Sequence, residues 1–172
     1  MGWEGELTMS VINFPNVKGS NLLRQQLTLP NDFQGRLNLV FIAFEQWQQM
    51  EVDSWIPLAE ELEERVSGLV YYELPTIQSR NTVYQWFINE GMRVGIPNPK
   101  TREHTITLYL NKISFRKALG FPDEDHIYIL VIDRQGQVLY QLRGPHTPES
   151  ETFLRDFILK QAENPDSCSG AD

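Results

Sequence analysis

Leu37-Asn-Leu-Val-Phe-Ile-Ala-Phe44 is an almost unbroken apolar run, and thirty residues on comes another, Leu69-Val-Tyr-Tyr-Glu-Leu74. Runs this short, rich in Val, Ile and aromatic residues, predict strands buried on both faces, as in a parallel sheet with helices on either side. Between them Trp55, Leu58, Ala59, Leu62 and Val66 recur at helical spacing, while Glu60, Glu61, Glu63, Glu64 and Arg65 lie mostly off that stripe. The spacing predicts a helix over residues 53–66 with Asp53 as N-cap, Pro57 in its first turn or so, and Gly68 just past its end. The Glu60–Glu64 run reads as its solvated face. A strand, a helix and a second strand in this order form a right-handed crossover unit.

Downstream, Asn81 is positioned to cap a helix running to Arg93, and Gly95 to Pro99 reads as a loop. Thr105-Ile-Thr-Leu108 alternates as extended chain does, and residues 112–119 read as a short helix stopped by Gly120. Ile127-Tyr-Ile-Leu-Val-Ile132, the turn Asp133-Arg-Gln-Gly136 and Val138-Leu-Tyr-Gln-Leu142 predict a hairpin. Thr147 and Pro148 then open a last helix, with Phe153, Phe157 and Ile158 as its buried stripe. Upstream, residues 1–36 carry Pro15, Gly19, Pro30 and Gly35 and no sustained periodicity. They read as a lead-in packed on the domain, with one short strand from Val11 to Phe14. The main domain is expected over 37–163 and a disordered tail over 164–172.

Composition limits the function. The chain has 172 residues, 41% hydrophobic and 11% aromatic, enough for one domain with a substantial core. Lys and Arg total 15 against 23 Asp and Glu, a net charge of −8 that repels phosphates and argues against nucleic acid and anionic lipid as main partners. No apolar run approaches the roughly 18 residues that span a bilayer. The opening MGWEGELTMS is acidic and lacks the features of a secretory signal, and Glu6 breaks the N-myristoylation pattern. The single cysteine, Cys168, precludes an internal disulfide and a Cys-rich metal site.

The element order, βαβ followed by ββα, is similar to the thioredoxin-like arrangement: an α/β fold with a central mixed sheet, flanking helices and, here, an N-terminal extension. In thioredoxin-like proteins the reactive thiols follow the first buried strand, where the helix dipole lowers their pKa. Phe44-Glu-Gln-Trp47-Gln-Gln-Met-Glu51 occupies that place, with Gln48 and Glu51 where the two sulfurs would stand. Ile127 stands where thioredoxins carry a cis-proline, and the nearest proline is Pro122. Dithiol–disulfide exchange within the chain is thereby excluded. The vacated loop and its neighbouring edge, Trp47, Gln48, Met50, Glu51, His126 and Ile127, form the candidate partner-binding surface. No catalytic residue, cofactor or metal is expected. Asp123-Glu-Asp-His126 reads as an acidic loop rather than a chelate, because successive side chains at a strand entrance point apart. His104, His126 and His146 have no nucleophile motif to serve. Trp55, on the inward stripe, reads as core.

Several segments resemble one divergent thioredoxin-like family, the mitochondrial assembly factor for the membrane sector of the ATP synthase. They are Phe14-Pro-Asn-Val-Lys-Gly-Ser-Asn-Leu22; Glu51-Val-Asp-Ser-Trp55 after the apolar strand; and Tyr109-Leu110, Phe115-Arg-Lys-Ala-Leu-Gly120, His126 to Gly136 and Thr147-Pro-Glu149 in order. Leu139-Tyr140 departs from that family's Arg-Trp, and no basic presequence is visible. The resemblance implies a non-catalytic assembly chaperone whose partner is a membrane-sector subunit of the ATP synthase. The competing expectation is a thioredoxin- or peroxiredoxin-related enzyme, or a small-ligand binder, with a cysteine-free site. The expected compartment is the cytoplasm, peripheral to a membrane, or the mitochondrial matrix for a chain whose presequence has been removed.

Overall fold

The computed structural model describes residues 11–78 and 103–163. The helix expected from Asn81, the loop at Gly95 to Pro99 and the tail from 164 lie outside them. Seven strands, β1 (Val17–Asn21), β2 (Gln26–Leu29), β3 (Leu37–Ala43), β4 (Leu69–Ile77), β5 (Ile106–Tyr109), β6 (Tyr128–Asp133) and β7 (Val138–Arg143), form one sheet in the order β2-β1-β5-β4-β3-β6-β7. β3, β4 and β5 run parallel to one another, whereas β6 is antiparallel to β3 and β7 to β6. Three helices are described: α1 (Gln49–Arg65), α2 (Lys112–Leu119) and α3 (Pro148–Glu163).

The continuous apolar run of β3 is explained by the two cores it serves. Leu37, Leu39, Phe41 and Ala43 join one core with the Val52, Trp55, Leu58, Ala59 and Leu62 stripe of α1 and with Leu154 and Ile158 of α3. Val40, Ile42 and Phe44 join the other, with Phe14, Phe33, Phe115 and Phe121. β6 divides in the same way, Ile129 and Val131 to the first core and Tyr128, Leu130 and Ile132 to the second. A strand between two layers needs apolar side chains at every position, so alternation vanishes. Asn38 is the polar exception in β3; its side chain accepts from the Gly35 amide and donates to the Gly35 and Ile132 carbonyls, which offsets its burial.

Four expectations need correction. The lead-in has an isolated bridge, Asn13 to Gln137, in place of a strand at residues 11–14, and its strands are the hairpin β1–β2, joined to the sheet through β5. That hairpin fits against β5 because residue 19 has no side chain: a Cβ there would meet the Thr107 carbonyl oxygen at 2.6 Å. Asp53 is inside α1 and not its cap, because a 3₁₀ turn over Gln46–Gln48 starts the helix four residues earlier. Pro57 therefore sits in the helix interior, on its exposed face. β4 continues through Pro75 to Ile77. The ladder to β5 is interrupted at that point, between the Glu73–Thr105 bridge and the Thr76–Leu108 pair, where proline has no amide to give. Finally, Phe153 is 51% exposed, and Leu154 takes its place in the core.

The helix stops follow local rules. Asn111 caps α2 by accepting from the Ser114 amide, and Gly120 ends it at φ 75°, where a glycine costs least. Thr147 caps α3 through its hydroxyl and the Ser150 amide, as the sequence suggested.

Candidate functional site

The chain leaves the carboxyl end of β3 at Ala43 and turns at once into α1. The carboxyl ends of β4 and β5 lie on the same side of the sheet because the three strands are parallel. Open α/β sheets present ligand sites at this end.

Gln48 holds the turn. Its side chain has 0% exposure; Oε1 accepts from the Phe44 amide at 2.8 Å and the Glu45 amide at 3.3 Å, and Nε2 donates to the Glu124 carbonyl at 2.6 Å. Glu51, 7% exposed in the first turn of α1, reaches across to the start of β6. Its Oε1 accepts from the Ile127 amide at 3.1 Å, and its Oε2 lies 2.8 Å from His126 Nδ1. A carboxylate only accepts, so the shared proton sits on Nδ1 of His126. The His126 side chain is 42% exposed.

The six candidate residues thus divide. Gln48, Glu51 and Ile127 are buried, each committed to closing the loop against β6. Trp47 at 51% exposure and Met50 at 68% face outward, and His126 is half-exposed. Tyr109, the last residue of β5, and Ile113, in the first turn of α2, are also exposed.

Lys112 is the residue that sequence reasoning missed. Its ammonium donates to the Phe44 carbonyl at 2.7 Å and lies 3.5 Å from Glu45 and 3.6 Å from Glu124, so it ties α2 to the same turn. Arg116 of α2 pairs with Glu124 at 3.1 Å. A cation in the first turn of a helix opposes the helix dipole, and that mismatch at Lys112 was the signal that its partners lay elsewhere.

The acidic run at Asp123 disperses. Asp123 accepts from the Asp125 amide, which with the Arg143 guanidinium at 2.6 Å holds its carboxyl below the usual range. Glu124 goes to α2 and His126 to Glu51. Among the described residues no group of three His, Cys, Asp or Glu is placed to hold a metal ion. None of the described helices is long and apolar enough to cross a membrane. The Glu60–Glu64 run is more than a solvated face: Glu61 bonds Arg155 of α3 at 2.7 and 3.2 Å and Arg65 at 3.1 Å, and these guanidiniums draw its pKa from 4.5 down to about 2.

This architecture is a thioredoxin-like fold, and solved structures agree. A thiol:disulfide interchange protein from Bacteroides sp. superposes with a TM-score of 0.59 at 17% identity, over 86% of this chain and 89% of its own. The thioredoxin domain of a thiol-disulfide oxidoreductase from Bacteroides vulgatus gives 0.51 at 16% identity, over 84% and 94%. BsSco, a member of the Sco family of cytochrome c oxidase assembly proteins, gives 0.56 at 11% identity, over 90% and 95%. At these identities the likeness is one of fold. No family model and no curated protein matches the chain.

Proposed function

We propose that the chain is a non-catalytic thioredoxin-like binding protein that acts as an assembly factor for the membrane sector of the ATP synthase, working at the periphery of the membrane. One observation carries the non-catalytic half. The turn after β3, in a fold that includes two proteins named for thiol:disulfide chemistry, holds Gln48 and Glu51, whose side chains bond the backbone of this chain. Amide and carboxylate groups form no thiolate, so no disulfide can be attacked from this turn. What it offers a partner is the outward Trp47 and Met50 and the oriented His126, a thioether and two aromatic rings, which suit an apolar protein segment.

The assembly half rests on the segments from Phe14 to Glu149 that resemble the ATP synthase factor family. A protein of the same fold, BsSco, belongs to a family of cytochrome c oxidase assembly proteins, an analogy at the level of fold. The test is affinity capture from gently solubilised membranes with mass-spectrometric readout, comparing the wild type with Trp47→Ala/Met50→Glu. Recovery of ATP synthase membrane-sector subunits by the wild type and their loss in the variant is expected. Absence of those subunits from the wild-type capture refutes the partner, and undiminished capture by the variant refutes the surface. Reduction of insulin by a Cys168→Ser protein would overturn the non-catalytic reading.

A further inference from the structure

The sheet has two edges, and they are treated differently. At β2 the Thr28 amide donates to Asp32 Oδ2 at 2.7 Å and the Thr28 carbonyl accepts from the Asp32 amide at 2.9 Å, so the middle of this four-residue edge is capped by its own turn. At β7 the Gly144 amide donates to the Ile127 carbonyl at 2.9 Å. With Ile129 opposite Leu142 and Val131 opposite Tyr140, this pair fixes the register, and alternation then points the amides of Gln141 and Arg143 away from β6. Only the start of this edge is covered within the described chain: the Val138 amide donates to the Ile12 carbonyl and the Phe14 amide to the Gly136 carbonyl, each at 2.8 Å. From residue 139 to 143, about 17 Å of strand, the outward backbone meets no partner among the described residues.

The same margin is apolar. Tyr140 stacks on Phe157 of α3, ring centroids 4.5 Å apart and 11° from parallel. Phe153, one helical turn earlier on that stripe, is 51% exposed. Leu139 and Leu142 are half-buried beside them.

We propose that β7 is a self-association edge, and that its occupant is β7 of a second copy of this chain, paired antiparallel about a two-fold axis through Gln141. Self-complementarity argues for this occupant. In that register the outward amides of residues 141 and 143 meet the carbonyls of 141 and 139 of the second copy, while the bulge opposite Val131 turns the Leu139 amide toward β6. Tyr140 falls opposite Leu142 of the second copy, and the two Gln141 amides face each other. Arg143, the only charged side chain on the strand, falls opposite Leu139 rather than its own mate, so no like charges are opposed. The two Phe153–Phe157 stripes flank the joint. A net charge of −8 on each chain resists this association at long range, so salt strengthens it.

The test is sedimentation velocity of the full chain from low to high micromolar concentration, at low and moderate salt, with Gln141→Pro and Phe153→Glu alongside. Proline at 141 removes an amide that β6 does not use, and Phe153 is exposed, so both variants are expected to keep the wild-type far-UV spectrum. The expected result is a concentration-dependent doubling of mass for the wild type, greater at moderate salt and lost in both variants, with amide exchange at Gln141 and Arg143 slowing as the dimer forms. A wild type that stays monomeric throughout overturns the proposal. So does a dimer that both folded variants retain, or exchange protection at Gln141 and Arg143 that is unchanged on dilution to monomer, which would mean that the edge is covered within one chain.

Discussion

Replacing Gln48 by Met keeps the length and roughly the volume of the side chain and removes its polar atoms. In the wild type Oε1 takes the Phe44 amide at 2.8 Å, and Nε2 gives to the Glu124 carbonyl at 2.6 Å, with the side chain wholly buried. Phe44 is itself in the core, so its amide has no water to turn to. Leaving such a donor unpaired costs about 1–3 kcal/mol, and losing an ordinary bond to the partly buried Glu124 carbonyl about 0.5–1.5 kcal/mol. The Glu45 amide, bonded at 3.3 Å on an exposed residue, is rehydrated at little cost. The sum is about 1.5–4.5 kcal/mol, or a fall in Tm of roughly 3–18 °C for a domain of this size. Urea unfolding followed by Trp fluorescence measures it, with Met50→Ala, at an exposed position, as a control expected within about 0.5 kcal/mol of wild type. Amide exchange at Phe44 should accelerate in Gln48→Met beyond the global change. A variant as stable as the control, with Phe44 exchange unchanged, would show that Gln48 does not hold the turn, and the account of a closed site would fail with it.

The remaining predictions concern the neighbours of that turn and the helix pair behind it. Glu51→Gln keeps an oxygen for the Ile127 amide, so its NH₂ must face His126 Nδ1; the His126 proton then moves to Nε2, a tautomer change visible in imidazole nitrogen shifts, and an unchanged tautomer would refute the assignment. Trp55→Phe strands the Gly144 carbonyl that the indole Nε1–H now serves at 2.9 Å and opens a small void in the first core. A loss of about 2–3 kcal/mol in urea unfolding is expected, and less than about 1 kcal/mol would contradict the packing described. Glu61 has its pKa lowered from 4.5 to about 2 by Arg155 and Arg65, and Glu151 is lowered by Arg155 and His146. A depressed folded-state pKa contributes stability that is complete above the unfolded value and lost as pH falls through the folded one, so Glu61 makes unfolding acid-sensitive between about pH 4.5 and pH 2, and Glu151 acts in the same direction. Arg155→Met should flatten the pH dependence of the urea midpoint in that window, and an unaltered slope would exclude the α1–α3 ion pairs as its source.

Much of the fold was legible in the sequence because burial on both faces leaves a signal that needs no tertiary information. Leu37–Phe44 and Ile127–Ile132 are apolar at almost every position, and only a central strand between two layers asks for that. The Trp55–Leu62 stripe and the glycine after Leu119 report local geometry in the same way. The absence of thiols from the turn at Gln48 was equally readable, since it is a matter of residue identity. Sequence could not decide where the polar side chains of that turn point. Gln48 and Glu51 look like solvent-exposed helix residues until the turn is folded against β6, when long-range bonds to the backbone at Glu124 and Ile127, more than seventy residues away, commit them inward. Lys112 and the hairpin β1–β2 were hidden for the same reason: their partners, Phe44 and β5, are distant in the chain. Phe153 was placed in the core by its helical spacing, and only the docking of α3 on β7 determined that Leu154 goes in and Phe153 stays out. Sequence fixes periodicity and chemistry residue by residue, whereas the rotation of a helix about its axis and the pairing of polar groups are set by the surface against which each element packs.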